Sequence, residues 1–379
     1  MAGPRRPALP DSQDTRAGND RITRPPNYPI RRPRQRAAIV EIALVLKLLL
    51  KRGALVAAAN WQTVLIQFAA QTTFHVLLAV PVIGAAILVA VLLGADLANL
   101  LQGSLREILT TISSALMSEP LALLAFTTAF TIVLLGGSVF MFLVKGGTVE
   151  VLVAGNAAAG PIEREPITVD SLRPAAQFTL ARFMAGCGRL FPRYLALGLL
   201  LMLAYGLSAG GYLAFVVLGY RVATERALIV EWTLVAALAA GVLVVWITLI
   251  NLLYLLLQIA IAFGAPGLAA AFRSVVRIAR AEVRELAGIF MVVLAMVVAA
   301  ILVSALAWSG VGLIAFVPLV GLAVFPLQIA ALLVRGLVFE YIGLTALGAY
   351  VTIFKRHAEE FGWADEREPV RSRPGLASG

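Results

Sequence analysis

Long apolar runs alternate with short charged segments along this chain. The clearest runs cover 73–94, 121–144, 194–218, a stretch inside 228–263, 286–308 and 336–354. Each is close to the roughly 20 residues a helix needs to cross about 30 Å of hydrocarbon. The pattern therefore predicts six transmembrane helices.

Other segments carry a one-sided pattern instead. Residues 37–50 are apolar but interrupted by Glu41 and Lys47, too short and too charged to span. Lys47 and Lys51 lie four apart and share a face. The expectation is an amphipathic helix in the cytoplasmic interface, with Lys47, Lys51 and Arg52 reaching lipid headgroups. Leu97, Leu101, Leu105, Ile108, Ile112 and Leu116 recur at helical spacing, which predicts a second surface helix on the opposite side. Arg273, Arg277, Arg280 and Arg284 recur the same way and predict a basic, headgroup-facing helix between spans four and five. Between spans two and three, Lys145-Gly146-Gly147 is expected to end a helix. Thr168 and Asp170 are expected to cap the next one.

Two regions stay open at this level. As one helix, 228–263 would be about 54 Å long, so it must protrude, tilt or break, with Gly241 the candidate break. Residues 309–334 carry Gly310, Gly312, Pro318, Gly321 and Pro326, and either dip into the membrane or add a seventh span. A single helix over 326–354 is the third option, with Arg335 and Glu340 inside it.

Composition sharpens this. Sixty percent of residues are apolar and 14% charged, against about 45–50% and 25% for soluble domains. An all-α polytopic bundle of three hairpins follows, each hairpin preceded by a cytoplasmic interfacial helix. A disordered Arg/Pro-rich tail (1–36), a membrane domain (37–354) and a second tail (355–379) are the expected divisions.

Charge sets orientation. Of 31 Lys and Arg residues, 27 fall in four patches: up to residue 52, 145–193, 264–285 and after 354. Basic residues in short loops stay cytoplasmic. Both termini are therefore expected inside a cell (inner) membrane, which favours six spans over seven. The net charge of +10 is read as attraction to anionic lipid or a protein partner, not to nucleic acid.

Candidate chemistry is sparse. The chain has one cysteine, Cys187, and two histidines, His75 and His357. It has no G-x-S-x-G, H-E-x-x-H or Walker signature. The expectation is no cofactor, no metal and no catalysis. Ionisable groups at membrane depth are costly and mark functional sites. Arg335 and Glu340 are the candidates, with Asn251 and Gln258 sharing a face of span four. They would line a transport path beside a helix broken near Pro318 and Pro326, or else Arg335 snorkels and Asn251 and Gln258 bond neighbouring helices.

Two segments carry a resemblance. Residues 145–200, with Lys145-Gly146-Gly147, Gly160 and the helix after Asp170, resemble a loop of a broad group of prokaryotic membrane proteins of unassigned activity. So does Ala271-Phe272-Arg273-Ser274-Val275-Val276-Arg277, before the fifth span. That group is similar to the membrane domain attached to some glycerophosphoryl diester phosphodiesterases. Over about 60–354 the resemblance implies a six-helix fold. The catalytic domain of those enzymes has no counterpart in this chain. The function expected is thus a non-catalytic membrane protein that binds anionic lipid or a partner and supports membrane organisation. The alternatives are a permease for a small amphiphile and a lipid-modifying enzyme.

Overall fold

The computed structural model describes residues 33–93, 114, 118–226, 228–315 and 318–360. The expected surface helix at 95–120 lies almost wholly outside them, as do most of both tails. Two units separate, residues 1–41 and 42–379. In the first, the described residues 33–41 are helix. The rest concerns the second unit.

The described residues are mostly helical, with no strand among them. Helix α1 (Pro33–Ala59) meets α2 (Trp61–Leu93) at Asn60. Then come α3 (Pro120–Ala158), the single turn α4 (Val169–Leu172) and a 3-10 turn at Arg173–Ala175. Helices α5 (Leu180–Glu225), α6 (Ile229–Ala262), α7 (Leu268–Ala281), α8 (Val283–Ala315) and α9 (Pro318–Glu360) complete the order. Six stretches, one within each of α2, α3, α6, α8 and α9 and one running from α4 through α5, are long and apolar enough to cross a bilayer. The chain is a multi-pass membrane protein with an all-α fold.

Capping explains several boundaries. Thr168 caps α4 in a box with Ser171, as its residue type predicts. Thr179 caps α5 by accepting from the Arg182 amide. Proline occupies the first turn of α3, α9 and α1, where its missing N–H costs nothing. Helix α6 ends at Gly264 with φ +102°. There the Ala265 amide reaches back to the Ala260 carbonyl in a Schellman closure.

Several expectations are corrected. Lys145-Gly146-Gly147 does not stop α3, which continues through it to Ala158. These glycines serve packing. A Cβ on Gly147 would lie 2.7 Å from the Phe183 ring and 2.8 Å from Cys187 Sγ, so α3 and α5 approach too closely there for any side chain. Gly241 does not break α6. Segment 309–334 is helical in its described parts. Its first residues extend α8 to Ala315, and α9 starts at Pro318 and passes unbroken through Pro326.

The helices are long. Helix α5 has 46 residues, about 69 Å, and α9 has 43, about 64 Å. They exceed any hydrocarbon core, and burial divides each in two. The buried core draws on 49–70, 141–162, 175–198, 254–289 and 342–354. These are the ends that carry most of the charge (the charged ends below). The far portions face outward. In the most apolar 18-residue windows of the third and fourth spans no residue is buried.

Candidate functional site

A polar hub ties three helices at the charged ends. Arg52 on α1 is only 8% exposed. Its Nε donates to Asn156 Oδ1 at 3.1 Å and its Nη2 to the Asn156 carbonyl at 3.0 Å. Its Nη1 donates to the Gly160 carbonyl at 2.6 Å and to the Glu163 carboxylate at 2.8 Å. Asn156 in turn donates to Thr352 Oγ1 at 2.7 Å and the Gly348 carbonyl at 3.2 Å on α9. Gly160, with φ +48°, turns its carbonyl into this hub where other residues would be strained. Lys51 donates to the Glu163 carbonyl at 2.9 Å. The headgroup reading of Arg52 is therefore corrected, since its guanidinium is spent inside the protein; Lys51 is half-buried and gives one of its three N–H groups to Glu163. Lys47 is exposed. A second polar joint flanks the hub, where buried Asn60 donates to the Ala175 carbonyl and accepts from the Gln177 amide.

One layer further along, Lys145 on α3 stands 5.4 Å from the centre of the Tyr254 ring on α6. It interacts electrostatically with Glu340 on α9. Phe142 packs on Tyr254 at 6.5 Å, and Tyr194 donates to the Gln258 carbonyl at 2.8 Å. From this layer outward, residues 120–144 of α3 and 194–220 of α5 carry no Lys, Arg, Asp or Glu. They would run about 37 and 40 Å, a hydrocarbon core plus part of each headgroup layer. The apolar reach of these helices therefore ends at the Lys145 layer, and the packed core lies mostly on its charged side.

The four candidate polar residues do not share one site. Glu340 lies within electrostatic reach of Lys145, 195 positions away, a neighbour that no local spacing announces. Asn251 accepts a hydrogen bond from Tyr205 on the neighbouring α5, the helix-bonding role weighed from the sequence. Gln258 is 1% exposed, and its Nε2 lies near Tyr254 Oη without a well-aligned bond for either. Arg335 points elsewhere, its guanidinium 5.6 Å from the centre of the Phe339 ring on its own helix. It lines a lateral cleft of about 480 Å³ between α8 and α9, with Ala300, Val303, Ala331 and Val334 among the walls. Among the described residues, α9 runs past Pro326 without a break.

Helix α7 is two-faced. Ala271, Ser274, Val275 and Ile278 are buried, and Phe272, Arg273, Arg277 and Arg280 are exposed. The exposed set, with Val276, borders a shallow groove of about 370 Å³. Arg284 follows, exposed, at the start of α8. Glu282 and Glu285 beside it are engaged by His357, at 3.8 Å, and by Arg356. Arg189 pairs with Glu150 across the α3–α5 contact. Among the described residues no group of three or more His, Cys, Asp or Glu gathers in metal-binding geometry.

No protein-family model matches the chain, and neither the curated proteins nor the solved structures yield a match.

Proposed function

We propose that this chain is a non-catalytic integral membrane protein that holds anionic lipid, or a partner presenting acidic groups, against basic helices at its charged ends. In this reading those ends and both termini are cytoplasmic, the membrane is the cell (inner) membrane, and the role is membrane organisation or complex assembly. The kinship with the phosphodiesterase membrane domain belongs to the same proposal.

The observation that carries it is α7. Its buried face fixes the helix to the body, so Arg273 and Arg280 are held out beside Phe272 as a rigid basic edge. Such an edge attracts acidic headgroups at about 1 kcal/mol per basic residue. The permease reading draws less support. It needs Arg335 and Glu340 on one polar path, whereas Arg335 lines an apolar cleft that Glu340 does not border.

The test is recovery of the full-length protein in mild detergent, followed by lipid analysis and identification of retained proteins. Anionic lipid should be enriched over its share of the host membrane, or a specific protein should be retained. Arg273→Ala with Arg280→Ala should weaken retention by about 30-fold, two charges' worth. Recovery of neither lipid nor partner would refute the reading.

A further inference from the structure

We propose that the lateral cleft between α8 and α9 is a binding site for one anionic phospholipid from the leaflet nearer the charged ends. An acyl chain lies along the cleft and the phosphate sits on Arg335. The inference rests on the reading above only in taking anionic lipid as the ligand class; the site is a different one.

Dimensions come first. Along α9 the cleft runs from Leu327 to Phe339, about 18 Å of helix. That is close to the roughly 15 Å depth of one leaflet, half of a 30 Å core. Its volume, about 480 Å³, falls within the range of small-molecule pockets. Ala300 and Ala307 on α8 face Ala331 on α9, and these small side chains are what leave the groove open. Of its polar groups, Ser304 is already satisfied, donating to the Ala300 carbonyl at 2.6 Å. Arg335 and Gln328 remain.

Charge then selects the occupant. Helical side chains lean toward the N-terminus of their helix, which on α9 means away from the charged ends. The Arg335 guanidinium stands 5.6 Å from the centre of the Phe339 ring, which lies one turn nearer those ends. Among the described residues the ion pairs involve Arg52, Arg189, Arg356 and His357, not Arg335. A guanidinium at this depth without an anion is costly. A helix from a second copy would fill the groove with apolar side chains and leave that charge unanswered. A phospholipid answers both halves, since its chain fits the walls and its phosphate takes the planar fork of Arg335.

The experiment titrates delipidated full-length protein with phosphatidylglycerol or phosphatidylcholine in detergent and counts bound lipids by native mass spectrometry. Wild type should bind one phosphatidylglycerol in preference to phosphatidylcholine. Arg335→Ala should weaken that preference by about fivefold, and Arg335→Lys should retain most of it. Ala331→Trp, or Val303→Trp from the opposite wall, should expel the lipid while the melting temperature holds, since both positions are exposed. Wild-type phosphatidylglycerol binding in Arg335→Ala and in both tryptophan variants would overturn the proposal. So would efficient cross-linking of Ala331→Cys to a second copy, or binding of oleate in place of phospholipid. Arg273→Ala with Arg280→Ala is run alongside. Cleft variants that do nothing while these lower lipid retention sink the cleft alone, and the converse sinks the α7 surface alone.

Discussion

Arg52 holds Asn156 at both ends of that residue, Nε on the side-chain oxygen at 3.1 Å and Nη2 on the main-chain oxygen at 3.0 Å. A bidentate grip on one residue fixes the rotation of α3 about its axis as well as its distance from α1. Arg52→Ala removes it and leaves the buried Asn156 carbonyl and the half-buried Glu163 carboxylate without their partner. Breaking a buried pair in this way costs about 3–5 kcal/mol. The expected result is a large fall in melting temperature in detergent. Arg52→Lys should recover only part of it, because an ammonium lacks the fork.

Two glycines on α9 should respond oppositely to the same substitution. A Cβ on Gly348 would stand 2.9 Å from the Gly53 Cα of α1, backbone against backbone. Gly343 has nothing within 4 Å. Gly348→Ala should therefore destabilise by about 1–3 kcal/mol through overpacking. Gly343→Ala should be neutral or stabilise by up to about 1 kcal/mol through helix propensity. Thermal denaturation of the two variants side by side decides it.

Lys145 and Glu340 should be energetically coupled. Lys145→Met and Glu340→Gln each leave one charge without its opposite, and the double variant leaves none. A double-mutant cycle on stability should return a coupling of about 0.5–3 kcal/mol, with the double variant more stable than the sum of the singles implies. Simple additivity would mean the two groups do not sense each other.

Orientation has its own check. Reporter fusions after residues 110, 160, 224 and 270 should read out, in, out and in. Any other order removes the basis for calling the charged ends cytoplasmic, though it would leave the packing of those ends unaltered.

Much of the architecture is visible in the chain before folding, because lipid imposes a length on every apolar run. Each of the six stretches long and apolar enough to span overlaps one of the six apolar runs, although the first covers Trp61–Ala85 where the pattern predicts 73–94. Helix continuity past those runs is less visible. At Lys145-Gly146-Gly147 a glycine pair that locally means a stop is required instead by the close approach of Phe183 and Cys187 from α5. Only the fold reveals which meaning applies. Arg52 illustrates the same limit for charge. Its neighbours on α1 suggest a headgroup ligand, while its actual partners lie more than 100 residues on. The hydrogen-bonding role of Asn251 was accessible from its position on an apolar span. The separation of Arg335 from Glu340 was hinted at by their spacing of five, which puts them on different sides of a helix.

The uneven packing of the long helices bears on how the protein meets bilayers of different thickness. Their charged ends are locked by Arg52, Asn60, Asn156 and the glycine contacts, and their apolar portions touch few neighbours. A change of a few ångströms in membrane depth is then absorbed by altered tilt of the loosely held portions, at a fraction of a kcal/mol per ångström. The joined ends keep their arrangement, so the basic surface they present is insulated from changes in bilayer thickness.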